Sequence, residues 1–477
     1  MLLVLTFSVF ISIPSHAQQS SFNSKETLPS IDSTFADSVI TINAVKVVGN
    51  KKTKSYIILR EIQFKAGDSI PFSKLAANLK QAHDQVYNMT LFEDVIISSL
   101  FVSASKVTIT VEVKEKWYIY PTPQFQLVDR NFNEWIKVYN ANLSRVIYGA
   151  KFAHYNFSGR RDQLRVYILN GYARNFSFNY SAPYSNSALT EGFAVAASFT
   201  QNREVAYKTT YFNKLLEYHN NYFVRNVFSI SGGYTVRKGF FKRHAVSMGY
   251  TLLNVNDSLL TPRYNPLYYN SVKVHQSYVD FGYGFQYANT NNINYPLRGS
   301  VYGISVLKRG LGFTGGVNML MLDAYMNKYI DHTRNWYSSF ELNGKIKAPF
   351  NQPYINQRAL GYSNFYLRGL EYYVIDGTAA AIAKYTLRKK LLSFDLPLPV
   401  KIKSFSKIPF NIYAKTFADA GYSYIQPQYA SRLNNRLLYS GGFGLDLLTL
   451  YDINLRLEYS FNQLNEKGLF LHARGGF

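Results

Sequence analysis

No cysteine occurs in the 477 residues, which excludes thiol nucleophiles, disulfide scaffolds and cysteine-rich zinc sites. The histidines, at 16, 83, 154, 219, 244, 275, 332 and 472, show no metal-ligand spacing with one another. Serine and aspartate are abundant, yet no Gly-x-Ser-x-Gly elbow is present. Asp323 and His332 flank an expected turn, where solvated turn chemistry accounts for both. Gly315-Gly316 and Gly441-Gly442-Phe443-Gly444 suit close-packed strands better than phosphate loops. The expectation is a protein that is not an enzyme, with no cofactor and no metal. Charge and aromatic surface remain as working chemistry. They include Arg368-Gly369 within Tyr366-Leu367-Arg368-Gly369-Leu370-Glu371, and Asp419 within Phe417-Ala418-Asp419-Ala420-Gly421-Tyr422. What those segments can do depends on the elements that place them.

Aromatic residues make up 17% of the chain, with 41 Tyr and 35 Phe, and charged residues also only 17%. An ordinary soluble protein is about 25% charged. Tyrosine in this excess favours strands. No long apolar run follows the first residues, so a helical membrane protein is excluded, whereas a β-barrel needs aromatic girdles and a polar interior. The net charge is +23. Residues 18–117 hold 12 Lys/Arg and 10 Asp/Glu, so nearly all the excess lies beyond them. A nucleic-acid binder concentrates charge in a patch or helix. Here the charge is spread through alternating aromatic segments, which suits basic rims or a basic lumen meeting anionic lipid headgroups or anionic polymers better than a nucleic-acid binder.

Met1 to Pro14 is apolar and too short to span a membrane, and Ser15-His16-Ala17 offers small residues for cleavage, so residues 1–17 read as a signal peptide. Residues 18–39 read as a flexible leader rich in Ser, Thr and Asp. Between 40 and 116 the periodicity changes repeatedly. Ile42–Val48 reads as a strand stopped by Gly49-Asn50, and Thr53–Ile62 as a helix. Phe72, Leu75, Leu79, Ala82 and Val86 form one apolar face of a second helix. Phe92–Ser99 and Val107–Lys114 read as two further strands. The order strand, helix, helix, strand, strand is a self-sufficient α+β unit.

Residues 117–146 read as a linker, and 147–477 as an antiparallel barrel. Ile453, Leu455, Leu457, Tyr459 and Phe461 interleave with Asn454, Arg456, Glu458 and Ser460. Val246, Met248, Tyr250 and Leu252 interleave with Ala245, Ser247, Gly249 and Thr251. Such alternation gives one face to lipid and one to a lumen. Sixteen strands follow, from 147–157 to 468–477, with 204–213 as the fifth, 335–347 the eleventh, 378–390 the twelfth and 409–424 the thirteenth. The longest outer loop is then 348–377, and the next 255–272. Along the last strand Leu469, Leu471, Ala473, Gly475 and Phe477 share one face.

The Gly49-Asn50 turn, Lys51-Lys52-Thr53-Lys54, Gly67-Asp68 and Leu91-Phe92-Glu93-Asp94-Val95 resemble a POTRA domain. The resemblance implies a periplasmic module that binds extended chains by strand addition; a structural spacer is the other use open to it. The Arg-Gly of the longest outer loop and the Phe-x-Asp-x-Gly of the thirteenth strand resemble the paired signatures of the BamA/TamA family. That resemblance implies a loop folded into the lumen, with Arg368 meeting Asp419, Gly369 permitting the turn and Gly421 leaving space. Lys384 stands where the family often has a second acid. The terminal Phe477, with Leu469, Leu471 and Ala473, resembles the signal by which barrels are recognised for insertion.

The fold class implied is mainly β, a 16-stranded transmembrane antiparallel barrel in the bacterial outer membrane, preceded by one periplasmic POTRA-like domain. The implied function is assisting insertion or translocation of proteins there. Implied partners are client outer-membrane or secreted proteins, periplasmic chaperones or accessory lipoproteins, and outer-membrane lipids. The family's opening between first and last strands would fall at 147–157 and 468–477. A passive, anion-preferring pore is the alternative. If the barrel's basic excess avoids hydrocarbon, Lys308-Arg309 and Lys389-Lys390 sit at strand ends, and Arg243, Arg456 and Arg474 point inward.

Overall fold

The structure, a computed structural model, describes residues 38–127, 136, 140–269, 271, 273–311, 317–402 and 405–474. The signal peptide and nearly all of the leader read from the sequence lie outside these residues, as do Gly475 and Phe477.

The chain first builds a four-stranded α+β unit: β1 (Val39–Val48), α1 (Ser55–Leu59), β2 (Ser69–Pro71), α2 (Phe72–Tyr87), β3 (Phe92–Ser103) and β4 (Lys106–Glu115). The sheet order is β2-β1-β4-β3, with β4 parallel to β1 and antiparallel to β3. Its core joins Ile40 and Ile42 of β1, Ile57 and Ile58 of α1, Leu75, Ala82 and Val86 of α2, and Val107, Ile109 and Val111 of β4. Leu79 packs at the margin of that core, as the helical spacing requires. The first helix is shorter than the sequence suggests, and β3 lies at the sheet edge.

A second sheet contains sixteen strands among the described residues. They are β5 (Ile119–Leu127), β6 (Val146–Tyr155), β7 (Gln163–Gly171), β8 (Ala173–Ala182) and β9 (Glu191–Asn202), then β12 (Arg225–Lys238), β13 (Lys242–Val255), β14 (His275–Thr290), β15 (Gly299–Arg309), β16 (Met319–Asp331) and β17 (Trp336–Ala348), and finally β20 (Ala379–Ile402), β21 (Phe405–Tyr424), β22 (Leu437–Thr449), β23 (Ile453–Asn462) and β24 (Lys467–Arg474). Each pairs antiparallel with its neighbour in this order. Two small hairpins leave the wall: β10 (Glu204–Thr209) with β11 (Leu215–His219), and β18 (Arg358–Leu360) with β19 (Ile375–Asp376).

Two expectations are corrected. The stretch expected as a linker, 117–146, contains the first barrel strand, Ile119–Leu127, which pairs with β6 from Ile119↔His154 to Leu127↔Val146. Pro121 and Pro123 hide it in the sequence, since proline is excluded from central strands. β5 is an end strand. The Tyr155 N–H donates to the Tyr118 carbonyl at 2.8 Å, which fixes the phase of the ladder. Residues 120, 122, 124 and 126 then bond to β6, and the nitrogens of Pro121 and Pro123 fall on the open edge, where no ladder bond is lost. Conversely, the segment near 204–213 is not in the wall. It folds back with β11 as a hairpin, a pairing that alternation alone cannot tell from a wall strand. The first edge is therefore 119–127, not 147–157.

Side chains alternate as a transmembrane barrel demands. Val246, Met248, Tyr250 and Leu252 on β13, and Ile453, Leu455, Leu457 and Phe461 on β23, are exposed. On the opposite face of β23, Asn454, Glu458 and Ser460 are buried. The outward belt meets hydrocarbon and the inward polar set fills the lumen.

Candidate functional site

The barrel has a near mouth, facing the amino-terminal domain, and a far mouth. From the far mouth the segment between β17 and β20, residues 349–378, turns inward. It carries the β18–β19 hairpin, and Leu360, Leu367, Leu370 and Ile375 pack with Ile382, Leu433 and Leu438. This apolar footing fixes the backbone that presents Arg368.

Arg368 and Asp419 of β21 are both buried. Asp419 Oδ2 accepts the Arg368 backbone N–H at 3.0 Å and its Nε–H at 2.9 Å, while Nη2–H donates to Oδ1. Nη1–H donates to Thr386 Oγ1 at 3.0 Å, and the guanidinium lies 4.1 Å from the centre of the Phe417 ring. The carboxylate thus grips main chain and side chain together, a directional, charge-assisted arrangement. Gly369 has φ +82°, and a Cβ there would press on Ser460 at 3.0 Å. At Gly421 a Cβ would lie 2.8 Å from Leu367 Cδ1, so this glycine gives room for the residue preceding the arginine. Lys384 is the cross-strand neighbour of Asp419, and its Nζ stands 4.6 Å from the centre of the Tyr366 ring.

A second charged network, not read from the sequence, continues down the wall. Lys415 pairs with Asp446 and, at 2.6 Å, with Glu458. Asp446 accepts from Tyr295 Oη at 2.8 Å, with Arg388 Nε 3.5 Å away. Alternation along β21 places Lys415, Phe417 and Asp419 on one face, so Lys415 was within reach of sequence reasoning. Asp446 and Glu458 needed the registers of β22 and β23. Glu371, two residues beyond Gly369, comes near Glu458 and His472 of β24, the group of donors able to hold a metal among the described residues. On β24, Leu469 and Leu471 are exposed on the lipid face, with Ala473 beside them.

The far mouth is held by the β10–β11 hairpin. Asn213 at its tip donates to the Val374 carbonyl at 3.0 Å and to Ser431 Oγ at 2.6 Å, and its Oδ1 accepts from the Leu433 N–H at 3.1 Å. Tyr218 of the hairpin packs with Leu253, Leu259, Tyr268 and Tyr354.

At the near mouth the amino-terminal domain docks through charge. Glu61 accepts from Arg237 at 2.5 and 2.6 Å and from Tyr184 Oη at 2.5 Å, all three being buried. Burial by itself would raise the Glu61 carboxyl, but the Arg237 hydrogen bonds and charge outweigh it and hold the group down at about 2. Arg161 donates to the Asn88 and Met89 carbonyls, capping the end of α2, where the helix dipole is negative. Arg298 pairs with Asp84 at 2.6 Å.

Residues 40–116 match the POTRA family model, described as a surface antigen variable number repeat. No curated protein matches the chain in sequence. Among solved structures, CdiB from Escherichia coli is similar with a TM-score of 0.55 and 10% identity, over 91% of this chain and 75% of that one. BamA from Haemophilus ducreyi lacking POTRA domains 1-3 is similar with a TM-score of 0.49 and 15% identity, over 91% of this chain and 84% of that one. The likeness to CdiB is one of fold. In architecture the chain is a POTRA domain running directly into a sheet of sixteen antiparallel strands among the described residues.

Proposed function

We propose that this protein sits in the bacterial outer membrane with its POTRA domain in the periplasm, and assists the insertion or translocation of client proteins there. The observation that carries the reading is the pair of end strands, β5 and β24. Among the described residues each has a ladder partner on one side alone, β6 and β23 respectively. A sheet edge is a template for another strand. On β5 that edge is short of two donors, at Pro121 and Pro123, which keeps it from zipping shut against β24. Leu469 and Leu471 face lipid beside it, so an incoming strand would meet hydrocarbon and a free edge together. The Arg368–Asp419 pair and Gly369 serve as a latch that holds the 349–378 segment in the lumen, and Leu469, Leu471, Ala473 and Phe477 serve as the chain's own insertion signal. Clients, chaperones or accessory lipoproteins, and outer-membrane lipids are the expected partners.

Depletion of the protein followed by quantification of the outer-membrane proteome tests this. Loss of a set of barrel or secreted proteins is expected. An unchanged proteome, together with anion-selective conductance of the purified barrel, would favour the passive pore.

A further inference from the structure

Glu371, Glu458 and His472 come from three parts of the chain that meet only on folding: the inward loop, β23 and the last strand β24. Their donor atoms all lie within 4.8 Å of one another. His472 Nε2 stands 3.4 Å from Glu458 Oε2 and 3.6 Å from Glu371 Oε1. Neither contact is a hydrogen bond. His472 Nε2, both carboxylate oxygens of Glu371 and Oε2 of Glu458 are buried without a hydrogen-bond partner among the described residues. The Glu458 side chain is 0% exposed, and Lys415 takes its other oxygen at 2.6 Å, so Oε2 is left aimed at the histidine. Buried polar atoms in that condition cost free energy unless something joins them.

A tetrahedral zinc ion with bonds of about 2.0–2.2 Å spaces its ligands roughly 3.3–3.6 Å apart. The measured separations around His472 match that spacing. Imidazole with carboxylates, and no sulfur, is a donor set suited to zinc, whereas calcium and magnesium ask for six or more oxygens. Asp446 shares the positive charge of Lys415 and so offsets part of its opposition to a cation here. We propose that Glu371, Glu458 and His472 form a Zn²⁺ site that staples the inward loop to the last strand, with the fourth position left to water. Histidine spacing in the sequence could not show it, since the site draws one ligand from each of three distant segments. The proposal stands apart from the assembly role, because it concerns binding by the isolated chain.

Titration of ZnCl₂ into the full chain, folded in detergent micelles, should give one zinc per protein. His472→Ala and Glu371→Gln should each weaken binding by about 100-fold, the upper end of what losing even an outer-shell partner costs. His332→Ala, in the turn between β16 and β17, should bind as the parent does. X-ray absorption of the bound zinc should show nitrogen and oxygen neighbours at about 2.0–2.1 Å. Glu371 lies outside every ladder, so Glu371→Gln keeps the test alive if His472→Ala fails to fold, as judged by heat-modifiable gel migration. No stoichiometric zinc binding by the parent chain, or binding unchanged in the folded variants, would overturn the proposal.

Discussion

Arg368 and Asp419 hold each other where water scarcely reaches, so neither can lose its partner cheaply. Removing one leaves an uncompensated buried charge, at a cost of about 3–5 kcal/mol. Arg368→Ala and Asp419→Ala should each lower the barrel's unfolding midpoint in denaturant by that measure. The double variant should lose less than the sum of the two, since the second change removes an orphan and not a pair. Additive losses would show that the two side chains act separately. These two residues were legible in the sequence through the resemblance of the motifs that carry them; that Gly421 makes room for Leu367 appeared only in the structure. Asp446 and Glu458 carry no such mark. Their importance arises from which donors, such as Lys415 and Arg388, the neighbouring strands bring beside them, and that is register, not composition.

Among the elements, the docked amino-terminal domain and the first strand carry the clearest consequences. The Glu61 carboxyl is depressed from its ordinary 4.5 to about 2 in the docked state. A depressed acid contributes stability above its undocked value and loses it as the proton returns. The contact between domain and barrel should therefore be at full strength above pH about 4.5 and fade as the pH falls toward about 2. Limited proteolysis across that window should show the amino-terminal domain becoming accessible in acid, and Glu61→Gln should be accessible already at neutral pH. An unchanged pattern in Glu61→Gln would show that the Arg161 and Arg298 contacts suffice alone. The first strand is where sequence reading failed most instructively. Sixteen strands were expected and sixteen form the sheet among the described residues, but the set differs, since 119–127 enters the wall and 204–213 leaves it. The prolines that disguise β5 are tolerated because it ends the sheet, a fact of topology that no local window contains. Replacing Pro121 and Pro123 together by valine returns two donors to the open edge. The expected result is a more heat-resistant barrel that handles clients more slowly; equal heat resistance would mean that the donors do not reach β24.

Across the whole molecule three fittings lie in series: the amino-terminal domain under the near mouth, the charged network in the lumen, and the β10–β11 hairpin over the inward loop. Basic residues such as Lys384 and Arg388 face inward, and Arg456 lies opposite Asp446 on the lumen side. The intact protein should conduct ions poorly in a planar bilayer. Deleting the segment 349–378 should raise conductance and give it anion preference, which a reversal potential in a salt gradient would reveal. Cation preference would contradict the inward placement of these bases. Lys308-Arg309 end β15 as expected, whereas Lys389-Lys390 stand level with the turn after β16 while their own strand runs on to Ile402.

The prolines of β5 also bear on time. An edge with carbonyls at every second position but nitrogens without hydrogen at 121 and 123 can accept bonds from a visitor and return fewer. A strand held by such one-sided bonding dwells briefly. If the barrel takes up client strands as proposed, grip and release would be set by the same two residues, and turnover would come from a defect: an edge that cannot seal would also not keep its visitor.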